Sequence, residues 1–367
     1  MQIKAVVASE KNNSFSYGNV EIDDPADDEV LVNIKAVGLC HTDILARAGV
    51  YQLGADAVLG HEGAGVVERV GASVTKVKAG DRVGMSFRSC GTCRRCQQHR
   101  AAYCTKFLAL NFAGSRVGGS SSLKQGSTEL ASNFFGQSSF ASHALTYETN
   151  LILLPDDMPF ELAAPLGCGI QTGAGTVINS LACEAGSSLI VTGCGAVGLS
   201  AVMAAKIVGC EQIIAIEPMS SRRELARKLG ATHVIDPIEF EDFEQAVRNI
   251  VPAGVDYAVD TTGRRLTLEN LVRCFTTQGT LAMVGMPTSL EDDFSCAGIQ
   301  FLASGLTVKG IIEGDSQPDV FIPQLIEYYK AGKLPVDQFI KTYPLADINL
   351  AVEAHHSGEC VKAVLIP

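Results

Sequence analysis

Four cysteines lie within fifteen residues of this chain and have the spacing of metal ligands: Cys90, Cys93, Cys96 and Cys104. Two consecutive C-x2-C steps let thiolates converge on one tetrahedral ion, and four cysteines complete a closed zinc shell. Because a closed shell has no open position, we expect a structural rather than a catalytic zinc in the lobe at 88–105. Two disulfides or plain free thiols are the alternative interpretation.

A glycine-rich run is the second motif with chemical meaning. Gly193, Gly195 and Gly198 make a G-x-G-x-x-G pattern between an expected strand at 188–192 and an apolar helix at 199–208. The first glycine permits a tight turn, the second lets a pyrophosphate approach the backbone, and the third lets helix and strand pack closely. The helix N-terminus offers amide donors to phosphates. A glycine turn without a ligand is the alternative.

An acidic residue, Glu217, ends the next expected strand, nineteen residues after Gly198. A carboxylate at this place can bind both ribose hydroxyls and repels a 2′-phosphate, so the sequence predicts NAD rather than NADP. Arg222 and Arg223 weaken this prediction, because an arginine can accept a 2′-phosphate. The candidate dinucleotide contacts in this region are Gly193, Gly195, Ala196, Val197, Gly198, Glu217 and Arg222.

Composition narrows the class of protein. The 367 residues are 47 % hydrophobic and 19 % charged, which predicts two domains with large cores. A net charge of −11 argues against nucleic acid and against an anionic membrane surface as partners. Twelve cysteines, and an N-terminal apolar run too short for a signal peptide, predict a cytoplasmic location.

The first half of the chain predicts strands with many glycine turns, at 30–37, 64–70 and 81–87. The stretch at 114–133 is rich in Ser and Gly and predicts a long loop. Two uncharged stretches, 162–183 and 185–205, could be mistaken for membrane spans. Glycines interrupt both stretches, and a buried strand followed by a packed helix has the same hydropathy, so we expect no span.

From about residue 186, strands and helices alternate as in a doubly wound parallel sheet. The six expected strands span 188–192, 213–217, 232–236, 256–260, 279–285 and 305–312. One intervening helix is expected to begin at a capping box of Ser221 and Glu224 and to end at Gly230. Further elements are expected as helices at 321–331 and 346–356 and a strand at 361–366.

A third motif, G-H-E-G-A-G at 60–65 with Gly71 and Val74 beyond it, resembles the zinc signature of the medium-chain alcohol dehydrogenases. The cysteine lobe and the glycine loop resemble other parts of that family, and the three motifs occur in the same order. The resemblance covers essentially the whole chain. The chain is most similar to the aryl (benzyl) alcohol dehydrogenases, through segments at 40–43, 135–140 and 165–173.

This resemblance implies the fold. An α/β protein is expected, with a β-rich, partly open, GroES-like barrel at 1–169 and 313–367 that carries the cysteine lobe. A doubly wound, six-stranded parallel Rossmann sheet that binds NAD is expected at 170–312. The active site is expected in the cleft between the two domains.

The resemblance also implies that Cys40, His61 and Cys168 bind a catalytic zinc. Three protein ligands leave a fourth position for substrate, and zinc there lowers the pKa of an alcohol. Without the motifs, the two cysteines would be interpreted as buried apolar thiols, and His61 as a surface or core histidine. Glu62 is expected close behind the zinc; its alternative is an ordinary charged residue in a turn.

Residues around these ligands take roles by the same resemblance. Thr42 is expected to hydrogen-bond the substrate oxygen and take its proton, its alternative being the cap of a helix at 43–48. Asp43 is expected to orient the imidazole. Many relatives place a histidine where this chain has Leu45. The proton is therefore expected to leave through cofactor ribose and water, or through His41.

Further coenzyme contacts are implied in the same way. His41 and Lys362 are expected near the pyrophosphate, and Thr172 near the nicotinamide. Val284 and Met286 are also candidates for coenzyme binding. Pocket walls are expected at Ser86, Phe112, Met286 and Ile312. The remaining cysteines are expected to be buried, at positions 183, 194, 210, 274, 296 and 360.

The predicted activity is reversible, zinc-dependent oxidation of a primary alcohol to an aldehyde with NAD, the alcohol being aromatic or allylic. The alternatives are a dehydrogenase of aliphatic or terpenoid alcohols, an aldehyde reductase, and a non-catalytic zinc- and NAD-binding sensor. The non-catalytic alternative is disfavoured because the chain has all four of the residues that catalysis would need: Cys40, His61, Cys168 and Thr42. A homodimer or homotetramer is expected.

Overall fold

The computed structural model describes residues 1–9, 13–240, 242–287 and 293–367. The chain divides into two compact units. The first comprises Met1–Cys168, Gln317–Glu327 and Val336–Pro367, and the second comprises Gly169–Ser316 and Tyr328–Pro335. The return to the first unit thus comes at 317, not at 313 as predicted, because Glu313 and Ser316 hydrogen-bond Gln171 within the second unit.

The strands and helices of the described residues are numbered in chain order. The strands are β1 Gln2–Ser9, β2 Ser14–Ile22, β3 Glu29–Gly38, β4 Ala57–Val58, β5 Gly63–Val70, β6 Arg82–Met85, β7 Leu123–Gln125, β8 Thr128–Glu129, β9 His143–Tyr147, β10 Leu151–Leu153, β11 Ser188–Thr192, β12 Gln212–Ile216, β13 His233–Ile235, β14 Val255–Asp260, β15 Phe275–Met283, β16 Thr307–Gly310, β17 Ile340–Pro344 and β18 Lys362–Ile366. The helices are α1 His41–Arg47, α2 Arg94–Gln97, α3 Phe107–Asn111, α4 Phe160–Ala163, α5 Gly169–Gly175, α6 Ala196–Val208, α7 Ser220–Leu229, α8 Glu244–Ile250, α9 Arg265–Leu271, α10 Gly298–Ser304, α11 Pro318–Lys330 and α12 Ile348–Ser357.

The first unit is built from two largely antiparallel sheets. Strands β4, β1, β2, β7 and β8 form one, and β10, β6, β5, β3, β18 and β17, with β9 on β3, form the other. Strand β3 is the centre of the second sheet, and its alternating apolar residues Val30, Val32 and Ile34 are buried. The C-terminal strand β18 pairs with β3, so the end of the chain completes this unit.

The second unit contains the six-stranded parallel sheet, in the order β13-β12-β11-β14-β15-β16. This is the 3-2-1-4-5-6 order of dinucleotide-binding sheets, with the strand before the glycine loop at the centre. Every residue of β11 is buried, as expected of a strand covered on both faces. The six predicted strands are confirmed, although β15 begins at Phe275, four residues before the predicted start.

Two local predictions are wrong. The stretch 114–133 is not all loop: β7 and β8 form a hairpin there, turning at Gly126 with φ of 62°. Helix α7 begins at Ser220 without a side-chain cap, so the capping box at Ser221 does not form. The Glu217 carboxylate accepts the Met219 N–H instead and holds the turn before the helix. The predicted stop at Gly230 is confirmed.

The structure also bears on the two uncharged stretches and on the six cysteines without ligand spacing. Within the described residues no helix is long and apolar enough to cross a membrane. The stretch 162–183 contains α5, and 185–205 contains β11 and most of α6. Cys296 is only half-buried, contrary to expectation; the cysteines buried as expected are Cys183, Cys194, Cys210, Cys274 and Cys360.

Candidate active site and metal centres

The four cysteines of the lobe converge without forming disulfides. The Sγ atom of Cys93 lies 3.6 Å from that of Cys96 and 4.0 Å from that of Cys104, and Cys90 Sγ lies 3.9 Å from Cys96 Sγ. Four thiolates at the usual zinc–sulfur distance are separated by about 3.8 Å in a tetrahedron. A disulfide would need about 2 Å. The sulfur geometry therefore fits one closed tetrahedral zinc shell.

The surroundings in the lobe shift the pKa values of its cysteines in opposite directions. Backbone hydrogen bonding from Cys96, followed by that from Thr105, lowers the pKa of Cys93 to about 5. Burial, followed by hydrogen bonding to Cys93, raises the pKa of Cys96 to about 12. Sulfurs this close cannot all carry charge without a cation between them, so the crowding itself favours a bound metal.

The second cluster gathers residues far apart in sequence. Ligand atoms of Cys40, His61, Glu62 and Cys168 all lie within 4.8 Å of one another. The Nε2 atom of His61 is buried and has no hydrogen-bond partner among the described residues. Hydrogen bonding to Cys168 holds the pKa of Cys40 well below its usual range, although burial opposes this. Two sulfurs and an unsatisfied imidazole nitrogen fit a zinc ion with an open position.

Asp43 fixes two of these candidate ligands. Its Oδ1 accepts hydrogen bonds from His61 Nδ1 and from Gly60 N, both at 3.0 Å, and its Oδ2 accepts one from Cys40 N at 3.0 Å. With Nδ1 donating to a buried carboxylate, Nε2 is the nitrogen left for a metal. This is the arrangement expected of a carboxylate that orients a ligating imidazole.

Helix α1 places Thr42 beside the cluster. The helix begins at His41 with Cys40 as its N-cap, so the interpretation of Thr42 as a helix cap is wrong. Thr42 Oγ1 lies 3.7 Å from Cys40 Sγ, while His41 is exposed. The Asp43 carboxylate takes the capping role because it accepts the N–H of Cys40.

Behind the cluster lies a buried ion pair. Lys362 Nζ donates to Glu62 Oε1 at 2.7 Å and to the Leu39 carbonyl at 3.0 Å. Burial raises the pKa of Glu62 to about 6 even though Lys362 opposes the shift. A Cβ on Gly38 would lie 1.8 Å from Glu62 Oε2, so only glycine leaves room for this carboxylate. The contact of Lys362 with a pyrophosphate stays a prediction; its observed partner is Glu62.

Sequence reasoning gave no role to the two phenylalanines that contact His61, although it placed Phe112 in a pocket wall. The Phe135 ring stacks on the imidazole with centroids 4.4 Å apart, and Phe134 meets it edge-on at 5.6 Å. Phe112 packs edge-on against Phe135 at 4.9 Å and stacks on Tyr51 at 4.5 Å. The adjacent pair Phe134 and Phe135 is visible in the sequence, but nothing in the sequence indicates that folding brings the pair into contact with His61.

Gln137 was also missed as a site residue. Its Oε1 accepts from Gly63 N at 3.1 Å, and its Nε2 donates to the His61 carbonyl at 2.8 Å, so it fixes the backbone on both sides of Glu62. Ser86, expected in a pocket wall, is fully buried and donates to the Gly167 carbonyl at 2.7 Å. Ser86 therefore holds the chain before Cys168 and does not line a pocket.

The glycine loop has the geometry that the motif predicts. Gly193 has a φ of 84°, and a Cβ on Gly198 would lie 1.8 Å from the Gly193 carbonyl oxygen. A Cβ on Gly195 would meet nothing within 4 Å. None of the described residues crowds that position, so the open space beside Gly195 fits a phosphate approaching the backbone. Ala196 and Val197 begin α6.

Glu217 lies directly after β12, buried beside the loop. Its carboxylate accepts hydrogen bonds from Cys194 N at 2.7 Å and Met219 N at 3.0 Å, and each oxygen keeps a further lone pair. Arg223 forms an ion pair with Asp236 at 2.8 Å. That pairing occupies one of the two arginines that could have accepted a 2′-phosphate.

The other predicted coenzyme residues occupy different parts of the second unit. Thr172 lies on α5 and is buried, and its hydroxyl donates to Glu313 at 3.3 Å. Val284 and Met286 follow the carboxyl end of β15, and Met286 is 40 % exposed. Ile312, expected in a pocket wall, is also 40 % exposed. Their contacts with a coenzyme remain predictions.

Comparison with known families matches both halves of the chain. Residues 26–156 match the alcohol dehydrogenase GroES-like domain, and residues 196–328 match the zinc-binding dehydrogenase domain. The first match lies inside the first unit and most of the second match lies inside the second unit, and both matches confirm the predicted fold class.

Individual relatives align over nearly the whole chain. A geraniol dehydrogenase from Castellaniella defragrans is 41 % identical over 99 % of this chain and 97 % of its own length. The crystal structure of benzyl alcohol dehydrogenase from Acinetobacter calcoaceticus is 40 % identical, with a TM-score of 0.96 over 100 % of this chain and 99 % of that one. A zinc-binding alcohol dehydrogenase domain protein from Burkholderia ambifaria is 46 % identical, with a TM-score of 0.97 over 100 % and 99 %.

These likenesses agree with what the residues offer. Two groups of metal-binding side chains and a dinucleotide loop lie in a chain whose relatives are dehydrogenases. Zinc and NAD are therefore the cofactors of this protein, and the predicted oxidoreductase activity on alcohols is confirmed.

Proposed function

The chain belongs to the zinc-dependent medium-chain alcohol dehydrogenases, and we propose that it oxidises aromatic and allylic primary alcohols reversibly to aldehydes with NAD. The observation that carries this choice of substrate is the aromatic cluster next to His61. Phe135 stacks directly on the imidazole, and Phe112, Tyr51 and Phe134 extend the cluster. Flat, polarisable surfaces favour substrates with a flat π-system beside the hydroxyl carbon.

Each member of the first cluster has a proposed task. Cys40, His61 and Cys168 hold the catalytic zinc. When bound, zinc acts as a Lewis acid toward the alcohol oxygen and NAD takes up hydride. Asp43 keeps the His61 ring in one orientation and one tautomer, because its carboxylate accepts from Nδ1. Thr42 Oγ1, which lies 3.7 Å from Cys40 Sγ, accepts the substrate proton while its own hydroxyl proton passes on to water or to His41.

Two other groups support the chemistry without touching the substrate. The buried Glu62–Lys362 pair places a fixed carboxylate behind the three ligands, where it tunes their field. The four-sulfur lobe of Cys90, Cys93, Cys96 and Cys104 holds the structural zinc. A full shell of four sulfurs leaves that second metal no place for substrate.

Matched pairs of alcohols test the substrate class. We expect kcat/KM to be about ten-fold or more higher for benzyl alcohol than for cyclohexylmethanol, and for geraniol than for citronellol, the scale on which pockets discriminate. Phe112→Leu should narrow both differences, and Tyr17→Phe, at an exposed tyrosine on β2, should leave them unchanged. Equal kcat/KM within each pair would instead favour the aliphatic alternative.

The coenzyme preference is tested separately. Glu217 favours NAD because a buried carboxylate repels a 2′-phosphate. We expect a higher kcat/KM with NAD than with NADP, and a narrower difference in Glu217→Gln. A higher kcat/KM with NADP for the wild-type protein would contradict this proposal.

The proposed assembly is a homodimer or homotetramer in the cytoplasm. Strand β16 lies at the edge of the six-stranded sheet, and helix α10, which precedes β16 in the chain and contacts β15, carries the exposed apolar side chains of Ile299 and Leu302. An open strand edge beside apolar surface favours self-association. Light scattering should give a multiple of 38.7 kDa; the mass of one chain would contradict the proposal. Free cysteines favour a reducing compartment.

A further inference from the structure

We propose that the hydroxyl group of Tyr51 follows Thr42 in the proton path, and that it passes the proton of the substrate on to solvent. The proposal deepens the proposed function and rests on it, because it starts from a proton that Thr42 accepts. No sequence motif marks Tyr51, which lies nine residues after Thr42 in a turn.

Thr42 needs a neighbouring group that accepts a proton. A threonine hydroxyl that takes the proton of an alcohol gives up its own proton, because the side chain stays neutral. On helix α1, residues 44–46 are apolar, His41 is exposed, and Asp43 already accepts hydrogen bonds from His61 and from backbone N–H groups. A half-buried acceptor beside Thr42 must therefore come from outside the helix.

The turn after helix α1 brings Tyr51 back toward the helix. Gly49 has a φ of 82°, and its N–H donates to the Ala46 carbonyl at 3.0 Å. The Val50 N–H donates to the Leu45 carbonyl at 3.1 Å, which completes a Schellman motif. The chain reverses at this motif, and Tyr51 is the residue that follows it.

The Tyr51 side chain lies beside the candidate catalytic metal centre. It forms a hydrogen bond with Thr42, and the charges of Cys40 and Cys168 act on its hydroxyl. Thr42 Oγ1 itself lies 3.7 Å from Cys40 Sγ. Two hydroxyl groups, from Thr42 and Tyr51, are therefore adjacent at the cluster where the alcohol is expected to bind.

Aromatic packing holds the Tyr51 ring in place. The ring is half-buried and stacks on Phe112, with centroids 4.5 Å apart and planes inclined by 29°. Phe112 packs edge-on against Phe135 at 4.9 Å, and Phe135 stacks on the His61 imidazole at 4.4 Å. This row of rings links Tyr51 to a candidate zinc ligand, and it restricts movement of the phenol oxygen away from Thr42.

The phenol of Tyr51 keeps its proton at neutral pH. Burial, followed by the charges of Cys40 and Asp43, raises the pKa of Tyr51 to about 12, although the hydrogen bond with Thr42 opposes the rise. Burial is the largest of these causes, and it acts whether or not a metal ion is bound. A neutral hydroxyl both donates and accepts a hydrogen bond, as a member of a proton path must.

Each oxygen in the path exchanges one proton for another. The O–H bond of the alcohol breaks as a new O–H bond forms on Thr42 Oγ1, and the former proton of Thr42 moves to Tyr51 Oη. The former proton of Tyr51 goes to a water molecule or to a buffer base. Both side chains end neutral, and the alcohol oxygen keeps the electron pair that favours departure of hydride to NAD.

Proton release without turnover tests this path. Trifluoroethanol can give up its hydroxyl proton but resists loss of hydride, and a pH indicator dye reports the proton after mixing with the zinc-loaded, NAD-bound protein. Tyr51→Phe keeps the ring and removes the hydroxyl. We expect proton release to slow about ten-fold, less than the 10²-fold or more for complete loss of an acid–base group, because His41 remains as a second exit.

Oxidation of benzyl alcohol gives the second readout and its control. In Tyr51→Phe the first-turnover formation of NADH should slow with proton release, and concentrated MOPS, a tertiary-amine buffer base, should restore it at constant pH. Tyr147→Phe is the matched control, because it removes the hydroxyl of a buried tyrosine that donates to Glu29 at 3.2 Å. We expect this control to keep the wild-type rates and to show no response to MOPS.

A double variant shows whether Tyr51 acts through Thr42. The double variant Thr42→Val with Tyr51→Phe should be no slower than Thr42→Val alone, since both changes interrupt one path. Unchanged proton release in Tyr51→Phe would overturn the proposal, as would independent effects in the double variant or a slow Tyr51→Phe that MOPS does not restore. A wild-type protein that does not oxidise benzyl alcohol would contradict the proposed function itself.

Discussion

The two candidate metal centres of the first unit differ in how they are built. The cysteine lobe takes its four ligands from fifteen consecutive residues, three of them only half-buried. The other cluster takes Cys40, His61 and Cys168 from three distant places, with His61 and Cys168 buried. Local ligands can close a full shell by themselves. Distant ligands need the folded sheet around them, and that sheet can leave one position open.

The groups that hold the ligands in place also differ between the two centres: they are local at the lobe and distant in sequence at the other cluster. In the lobe, backbone N–H groups contact the sulfurs, as when Cys93 N donates to Cys90 Sγ at 3.3 Å. In the distant cluster, other side chains hold the ligands: Asp43 binds His61 and Gln137 fixes its backbone. A site with such a dedicated support is expected to carry chemistry, whereas the lobe is expected to carry stability.

The largest expected effect follows from removing one ligand of the distant cluster. Cys168→Ala should lower kcat/KM by about 10³-fold or more, because the Lewis acid that acts on the substrate is lost. Zinc per subunit should fall from two ions to one, with the circular dichroism spectrum unchanged. The matched control is Cys274→Ala, a fully buried cysteine outside both clusters. A Cys168→Ala protein that kept a tenth of the activity would remove this cluster from catalysis.

A smaller effect is expected behind the ligands. Asp43→Asn keeps the shape but removes the negative charge that faces His61 Nδ1, so zinc affinity and kcat/KM should fall by about 10–100-fold. Titration with a chelator should release the catalytic ion from this variant before the lobe ion. Loss of the lobe ion first would reverse the comparison between the two centres.

The lobe should respond in stability more than in rate. Cys104→Ser opens the sulfur shell, so we expect Tm to fall by about 5 °C or more and amides of the lobe to lose protection from hydrogen exchange. The first-turnover rate of hydride transfer in the remaining folded protein should stay close to wild type. Cys296→Ser, at a half-buried cysteine without ligand spacing, is the control.

The smallest effect is expected for Glu29, a buried carboxylate outside both metal clusters. Its variant serves as a reference for a change in stability that does not depend on metal. Burial opposes the ionised form of Glu29, but hydrogen bonds from Arg116, the Ala26 N–H and Tyr147, together with the positive charge of Arg116, outweigh burial and lower the pKa of Glu29. Its stabilising contribution is therefore present above about pH 4.5, the ordinary value, and is lost as the pH falls through the lowered pKa. The Tm difference between wild type and Glu29→Gln should shrink in acid, equally with and without a chelator.

The sequence was most informative about features whose geometry depends only on residues close together in the chain. The C-x2-C steps and the glycine loop have their geometry within a few residues, and both fold as expected. The cluster of Cys40, His61 and Cys168 could be assigned only through the family resemblance, because three distant residues carry no spacing signal. Phe134 and Gln137 were missed for the same reason, since only the packing of their loop brings them to His61.

The capping box that does not form at Ser221 has a local cause. Helix α7 begins at Ser220 without a side-chain cap, and the Glu217 carboxylate accepts the N–H of Met219, the residue before the helix. At α1, the Asp43 carboxylate likewise accepts the N–H of Cys40, the residue before that helix. In both places a carboxylate of a candidate site holds the turn that leads into the helix.

Zinc content and activity, measured on the same samples, decide whether the cluster of Cys40, His61 and Cys168 is the catalytic centre. We expect two zinc ions per subunit in the wild-type protein, one in Cys168→Ala with kcat/KM lowered by about 10³-fold or more, and one in Cys104→Ser with first-turnover hydride transfer retained. A wild-type protein that holds one ion, kept in Cys168→Ala and lost in Cys104→Ser, while alcohol oxidation proceeds at the wild-type rate in both variants, would contradict the account.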